Sequence, residues 1–519
     1  MSPGNAPVHP KMYERPVQRF RHDMDEKQLV STVKYVASAR PAFQLSEISA
    51  YLDEPATVDR MYAALLPHLD TLGLEVTKNG GDYQVRRSVP APAYPLNASE
   101  EERIGSYLED RSLPPDLEEA IAGYIAKKTG KDRDDPVVLG RLRQAIVAQK
   151  DDYWKPTRER ALRYTKGYSV LGYLAYHFPV YFMQTRHLLA ELARDGLLKR
   201  EMTVLDLGSG PGVVPLAIAD FWQNLDSAKA EVWSVERSKE HIEAFGYLAH
   251  HSAVSGSRVI LHPPIEADIA DTENPLLPHR ADLIVFSNVL NELAGLPVEK
   301  RAEIVMGYAR RLAPDGTILI IEPAEEVTST GLRVLSLALK KRGLSIYAPC
   351  TFVWGTNCTP DRCWSFTSAP PIRPTRVMES LAACNESFRY VNTDIKYSYV
   401  MLRKDGKVRQ SCQISRDMRA IRLSKVHLNT GKKITVIAAK MSGDLGDDKT
   451  HVFRICDGSA EKPVFAVLPR FHVGPANEAV LSAGYGDLLV FQNILVRYNP
   501  EHDAFNLFVT RDSKATMLK

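Results

Sequence analysis

The sequence has 519 residues and little that is extreme, and each shortage closes off a class of protein. No uninterrupted apolar run nears the roughly 18 residues that a membrane-spanning helix requires. The opening residues, MSPGNAPVHPKMYERP, lack the apolar stretch of a secretory signal. Six cysteines in so long a chain do not make a disulfide framework, and thiols kept in a reducing compartment more often bind metal or do chemistry. Together these absences predict a cytoplasmic protein that does not engage a membrane. A net charge of +3 provides no global field for nucleic acid, so any such partner must meet a local patch.

What is present is ordinary in bulk, with 44% hydrophobic and 25% charged residues. The length exceeds what one core supports, which predicts about three or four domains. Residues 1–25 are Pro-rich and polar and read as a disordered tail. Three amphipathic segments follow (KQLVSTVKYVA, LSEISAYL, VDRMYAALLPHL), then LEVTKNGGDYQVRR, whose NGG sits where a hairpin turn would. The pattern over 26–88 fits a winged-helix-like module or a small helical interaction domain. The linker RSVPAPAYPLN closes it, and 98–195 reads as mainly helical. Within that region Arg158, Arg160, Arg163 and Lys166 beside Tyr153, Trp154 and Tyr164 could meet phosphates and bases, or form a solvated helix face over an aromatic stripe.

From about 196 to 404 apolar β-branched runs alternate with helical stretches, the signature of a parallel α/β sheet. The runs TVLDL, AEVWSV, RVILH, ADLIVFS, TILIIEP, LSIYAP and SYVMLR predict seven strands. Between Lys396 and Lys440 stand twelve Lys or Arg against Asp405 and Asp417, a local patch of the kind that phosphates need. Residues 405–519 turn all-β, five strands with a helix-like PANEAVLSA between the third and fourth, the layout of an OB-fold-like barrel.

The chemistry concentrates in VLDLGSGPGVV, where a strand ending at Asp206 runs into Gly208, Gly210 and Gly212 and then a helix. Glycines let the backbone turn sharply and approach a ligand, and a helix N-terminus offers free N–H groups. The spacing is not the G-x-G-x-x-G of nicotinamide folds. It resembles motif I of class I S-adenosylmethionine (SAM) methyltransferases. Under that resemblance Glu236, ending the second strand, receives the ribose hydroxyls, Asp268 contacts the adenine amino group, and Asn288, Asn291 and Glu292 face the reactive end. The exit SNVLNEL lacks the Asn-Pro-Pro-aromatic turn of exocyclic-nitrogen methylation, and the Pro349-Cys350 pair comes some sixty residues too late for a cytosine-methylating nucleophile. No residue stands out as a general base.

The stretch 348–366, APCTFVWGTNCTPDRCWSF, gathers Cys350, Cys358 and Cys363 in a loop, a set suited to zinc or an iron–sulfur centre. A fourth thiolate must come from Cys384, Cys412 or Cys456, and spacing does not choose among them. Across about 160–500 the chain resembles the methyltransferase-like family associated with assembly of the small ribosomal subunit, known from mitochondria with bacterial and archaeal relatives. The likeness runs through GYLAYHFPVYFMQTRHLL, the glycine motif, VLNEL, Glu322-Pro323, Gly331-Leu332-Arg333, the cysteine loop, SYVMLRK, ICDGSAEKPVF and YGDLL.

The resemblance implies a four-iron four-sulfur cluster on Cys350, Cys358, Cys363 and Cys456, with zinc as the alternative metal. It further implies SAM as cofactor and small-subunit rRNA, or the assembling subunit, as partner. A non-catalytic assembly factor and a small-molecule methyltransferase remain alternatives. The chain departs from the family where Thr351 and Phe352 follow Cys350, and where Tyr485 replaces a tryptophan.

Overall fold

The computed structural model describes residues 25–53, 56–87, 92–154, 167–252, 258–293, 295–355, 358–411 and 419–518. Nearly all of the expected tail lies outside them, as do Arg158, Arg160, Arg163, Tyr164, Lys166, Cys412 and Arg416 and the side chains of Tyr153 and Trp154. The chain divides into two compact units, Met1–Val89 and Pro90–Lys519.

In the first unit α1 (Glu26–Ala39) starts where the Asp25 carboxylate accepts from the N–H groups of Lys27 and Gln28. Strand β1 (Ala42–Gln44), a 3-10 turn at Leu45–Tyr51, α2 (Val58–Leu65), α3 (Leu69–Leu72), β2 (Leu74–Asn79) and β3 (Asp82–Arg87) follow. Of the three helical segments read from the sequence, LSEISAYL winds as the 3-10 turn, its Ser46 N–H held from outside by Asp82 at 3.2 Å. The NGG stretch turns a hairpin in which Asn79 pairs with Asp82, and β1 adds a third strand in the order β1-β3-β2.

The second unit begins with five helices: α4 (Ala98–Glu109), α5 (Pro115–Thr129), α6 (Pro136–Trp154), α7 (Tyr168–Tyr176) and α8 (Phe178–Arg194). Asn97 and Glu100 cap α4 reciprocally. The sheet strands are β4 (Glu201–Leu207), β5 (Lys229–Glu236), β6 (Val259–Leu261), β7 (Ile265–Glu266), β8 (Ala281–Ser287), β9 (Leu312–Pro323), β10 (Ser345–Ala348), β11 (Thr367–Ala369) and β12 (Ile395–Arg403). Their order is β10-β12-β9-β8-β4-β5-β6, with β11 on β12 and β7 on β5. The sheet therefore exceeds the seven runs read from the sequence by two very short strands. Strand β12 runs antiparallel between β9 and β10, while β4, β5, β6, β8 and β9 are parallel.

Because side chains alternate across a strand, Val204, Leu283 and Val285 enter one core, shared with α5, α8 and α9 (Val213–Phe221). Leu205, Ile284 and Phe286 enter the other, beneath α11 (Val298–Ala309) and α12 (Glu326–Lys341). Central strands covered on both faces must read as continuous apolar runs, which is why β8 was legible. Two further helices, α10 (Lys239–His251) and α13 (Arg376–Ala382), complete the layers.

The C-terminal strands β13 (Lys433–Lys440), β14 (Thr450–Cys456), β15 (Val464–Pro469), β16 (Leu488–Asn499), β17 (Ala504–Phe508) and β18 (Lys514–Met517) form a six-stranded sheet. The order β13-β14-β15-β17-β16 closes into a five-strand barrel through β13–β16 pairing, and β18 lies on β16. A one-turn helix, α14 (Ala479–Ser482), sits between β15 and β16. Lys440 caps it from within the unit, its Nζ donating to the carbonyls of Val480, Leu481 and Ala483 at 2.8–3.2 Å. The barrel joins the sheet through the cysteine loop. Val353 N–H donates to Asp457 O, Gly443 N–H to Phe366 O, and Arg362 pairs with Asp503 at 3.1 Å.

Candidate active site

The C-terminal ends of β4, β5, β8 and β9 open on a cleft of about 910 Å³, where ligands of open α/β sheets bind. Gly208, Gly210, Glu236, Asp268, Asn288, Asn291 and Glu292 line it. Gly210 has φ +55° and open space where a Cβ would stand, so its backbone is presented to the cleft. Its N–H donates to Glu236 Oε2 at 2.9 Å, and Ser238 N–H to Oε1 at 2.7 Å. Each carboxylate oxygen keeps a lone pair for a further donor.

Two residues of the expected cofactor set are elsewhere. Asp206 is fully buried under the glycine turn, with no partner on either carboxylate oxygen among the described residues, and does not line the cleft. Burial first, and then the neighbouring Glu236, push its carboxyl well above the usual range. Gly212 supports the turn from below. A Cβ there would stand 2.2 Å from Phe245 Cδ2, so glycine is what lets α10 pack against the start of α9.

At the mouth of β8, Asn288 holds φ +54°, a conformation asparagine tolerates and most residues do not. Its Oδ1 has no partner among the described residues. Asn291 is tied to Glu322, donating from Nδ2 at 2.6 Å and from N–H at 3.1 Å. Burial raises Glu322 to about 8, against the opposing pull of Asn291 and Arg301. Glu292 is raised by burial to about 7, with Arg237, 3.6 Å away, pulling the other way. Arg237 also lies 3.9 Å from Asp268, so one exposed guanidinium bridges the two acids.

Tyr173, Tyr181, Arg237, Ser238 and His241 line the same cleft, and the sequence reading had not placed them there. Tyr173 and Tyr181 come from α7 and α8, inside the lead-in GYLAYHFPVY. Their rings stand edge to face, with centroids 6.1 Å apart.

A second cavity, about 440 Å³, lies where the cysteine loop meets the barrel. Cys350, Cys358, Cys363 and Cys456 all line it, with Arg333, Phe352, Met441 and Gly458. Cys384, the other described candidate for fourth thiol, is not among the lining residues. Among the described residues no group of three or more His, Cys, Asp or Glu converges as the ligands of one metal ion do; the four thiols surround a space instead. Burial pushes Cys358 up to about 12 and Cys350 and Cys456 above the usual thiol range. Gly458 N–H donates to Cys456 Sγ at 3.3 Å, and Arg333 Nη1 approaches Cys350 Sγ at 3.9 Å. Such donors suit thiolates, so the donor set fits a metal–thiolate group.

The basic patch is smaller than its sequence suggests. Arg403 is buried against Asp405, Arg409 pairs with Asp195 at 3.2 Å, and Lys440 is inside the barrel wall. Lys407, Arg419, Arg422, Lys425 and Lys432 are exposed.

The family model described as mitochondrial small ribosomal subunit Rsm22 matches residues 167–441. Models of a domain of unknown function, DUF8157, match at 26–80 (its N-terminal domain) and 424–518 (its C-terminal domain). No curated protein matches the chain. Among solved structures, YcgJ from Bacillus subtilis is 15% identical, with 42% of this chain and 97% of that one covered, at TM-score 0.26. A putative SAM-dependent methyltransferase from Methanococcus maripaludis is 20% identical (32% and 64% covered, TM-score 0.21). TrmN from Thermus thermophilus is 16% identical (44% and 53% covered, TM-score 0.24).

Proposed function

The chain belongs to the mitochondrial small ribosomal subunit Rsm22 family, and from that premise we propose that it is a SAM-dependent methyltransferase acting on small-subunit rRNA or the assembling small subunit. The observation that carries the reading is the single cleft lined by Gly208, Gly210, Glu236, Asp268, Asn288, Asn291 and Glu292. When bound, SAM supplies an electrophilic methyl group. Glu236 would hold the ribose hydroxyls, the turn at Gly210 would lie against the amino-acid part, and Asp268 would meet the adenine amino group. Tyr173 and Tyr181 wall the cleft and exclude water from it. Glu292, poised near neutrality, is the group we assign to accepting a proton from the methylated atom.

Calorimetry with S-adenosylhomocysteine tests the pocket. Glu236→Ala removes acceptors of charged hydrogen bonds worth about 1.5–3 kcal/mol each, so affinity should fall at least about tenfold. Unchanged affinity would take SAM out of this cleft.

The four thiols support a four-iron four-sulfur cluster. Cys350, Cys358, Cys363 and Cys456 all line that one cavity, and zinc is the alternative metal. Held this way, the metal group would tie β14 of the barrel to the loop after β10, in a reducing setting such as the cytoplasm. In this reading 26–88 is a winged-helix-like module, 98–195 a helical lead-in, 196–404 the methyltransferase core and 405–519 an OB-like, RNA-holding barrel.

A second reading, an assembly factor that binds SAM and RNA without turnover, is favoured by the exit SNVLNEL, which lacks a base-methylating turn. A small-molecule methyltransferase would show no RNA binding, whereas phosphate contacts on the exposed lysines and arginines predict a steep salt dependence, about −0.7 in log–log slope per contact on single strands.

A further inference from the structure

We infer that Arg333 is the countercharge of the cysteine cavity, the positioning residue that neutralises and orients its thiolates, with Lys340 as a weaker second cation. The inference rests on reading the cavity as a metal–thiolate site and adds a role for residues that are not themselves ligands.

Arg333 lies on α12 with 2% of its surface exposed. One nitrogen, Nη2, donates to Ser398 Oγ at 2.7 Å, Tyr399 O at 2.9 Å and Tyr485 OH at 2.9 Å. These fix the guanidinium plane and leave Nη1 turned to Cys350 Sγ at 3.9 Å. Nε is buried without a partner among the described residues. The groups that act most strongly on this cation are Tyr485, Cys350, Cys363 and Tyr399, and no carboxylate stands among them.

A buried cation with no carboxylate beside it is costly unless another anion is close. The cysteines become that anion when a metal displaces their protons. Four thiolates on either a zinc ion or a four-iron cluster leave net negative charge inside an apolar cavity. Arg333 is a full positive charge built into its wall, while Arg454 acts on Cys358 from β14. Lys340, two turns further along the same face of α12, sits with Nζ 3.7 Å from the Phe352 ring centroid and faces Cys350 and Cys358. Tyr485, which stands in place of the family's tryptophan, receives the Arg333 bond and shares another with Ser365 at 2.6 Å. This chain thus fixes the guanidinium from the barrel side.

The test uses the full chain, purified without oxygen, as wild type, Arg333→Gln, Arg333→Lys and Lys340→Gln, each first assayed for iron, sulfide and zinc. With iron and sulfide present, the midpoint potential is read by optical redox titration. A cation favours the more negative, reduced state, so both Gln variants should titrate at more negative potential, Arg333→Gln by more, and Arg333→Lys close to wild type. If the wild type carries zinc, the cluster reading fails by itself, and the inference is read from zinc release to a chelator. Release should then be about 10–100-fold faster in Arg333→Gln and largely restored in Arg333→Lys. Unchanged potential or release in a metal-loaded Arg333→Gln protein overturns the inference and leaves the site. Should that variant not fold, an unshifted Lys340→Gln overturns it. A wild type that takes neither metal overturns both.

Discussion

At the scale of single residues, the cleft sets carboxyls with opposed environments side by side. Glu236 is satisfied by two backbone N–H groups, whereas Glu292 is buried beside one guanidinium and rises to about 7. A proton acceptor must be ionised to work, so kcat/KM for methyl transfer should fall as pH drops below about 7 and level off above it. Glu292→Gln should lose the pH dependence together with about 10²- to 10⁴-fold of the rate. A Gln variant that keeps both rate and pH profile would remove Glu292 from the chemistry. The residues that sequence reading identified here were those whose type and spacing match a motif. Tyr173, Tyr181 and Arg237 escaped it, because a ring or a guanidinium can line a cleft from any register of its helix or loop. Asp206 carried the motif but is buried beneath the glycine turn and does not line the cleft.

At the scale of elements, most of the legible strands were long enough to repeat a pattern, although β6 and β10, of three and four residues, were read as well from the apolar runs around them. Strands β4, β5, β8, β9 and β12 are seven to twelve residues long, and their apolar runs declared them. Strands β1, β7, β11 and β18 have two to four residues, too few for an alternation to register, and they pair only because longer neighbours offer an edge. The junction of β4 and α9 can be tested directly. Gly212→Ala must displace Phe245 and hold φ +87° with a Cβ. Overpacking costs about 1–3 kcal/mol and the left-handed backbone about 1–2 kcal/mol more. Thermal denaturation should show a drop of several degrees. In a double-mutant cycle with Phe245→Ala, the combined loss should be less than the sum of the two single losses, whereas full additivity would place the strain elsewhere.

At the scale of the whole molecule, the cysteine loop is where sheet, barrel and α12 meet, and it explains why three cysteines cluster so far along the chain. Their convergence with Cys456 could not be read from spacing, because Cys456 ends β14, a barrel strand more than ninety residues along the chain from Cys363. Cys456→Ser should bleach the visible absorbance of the anaerobic protein and speed protease cleavage between 404 and 432, where the sheet gives way to the barrel. Full absorbance with unchanged protease resistance would contradict the joint. The central claim, that the cleft methylates small-subunit rRNA, is tested most directly by mass spectrometry of that RNA from a deletion strain and from one carrying Glu236→Ala. The account predicts one methyl mark absent from both and restored by the wild-type chain; a subunit-assembly defect with every mark retained would contradict it.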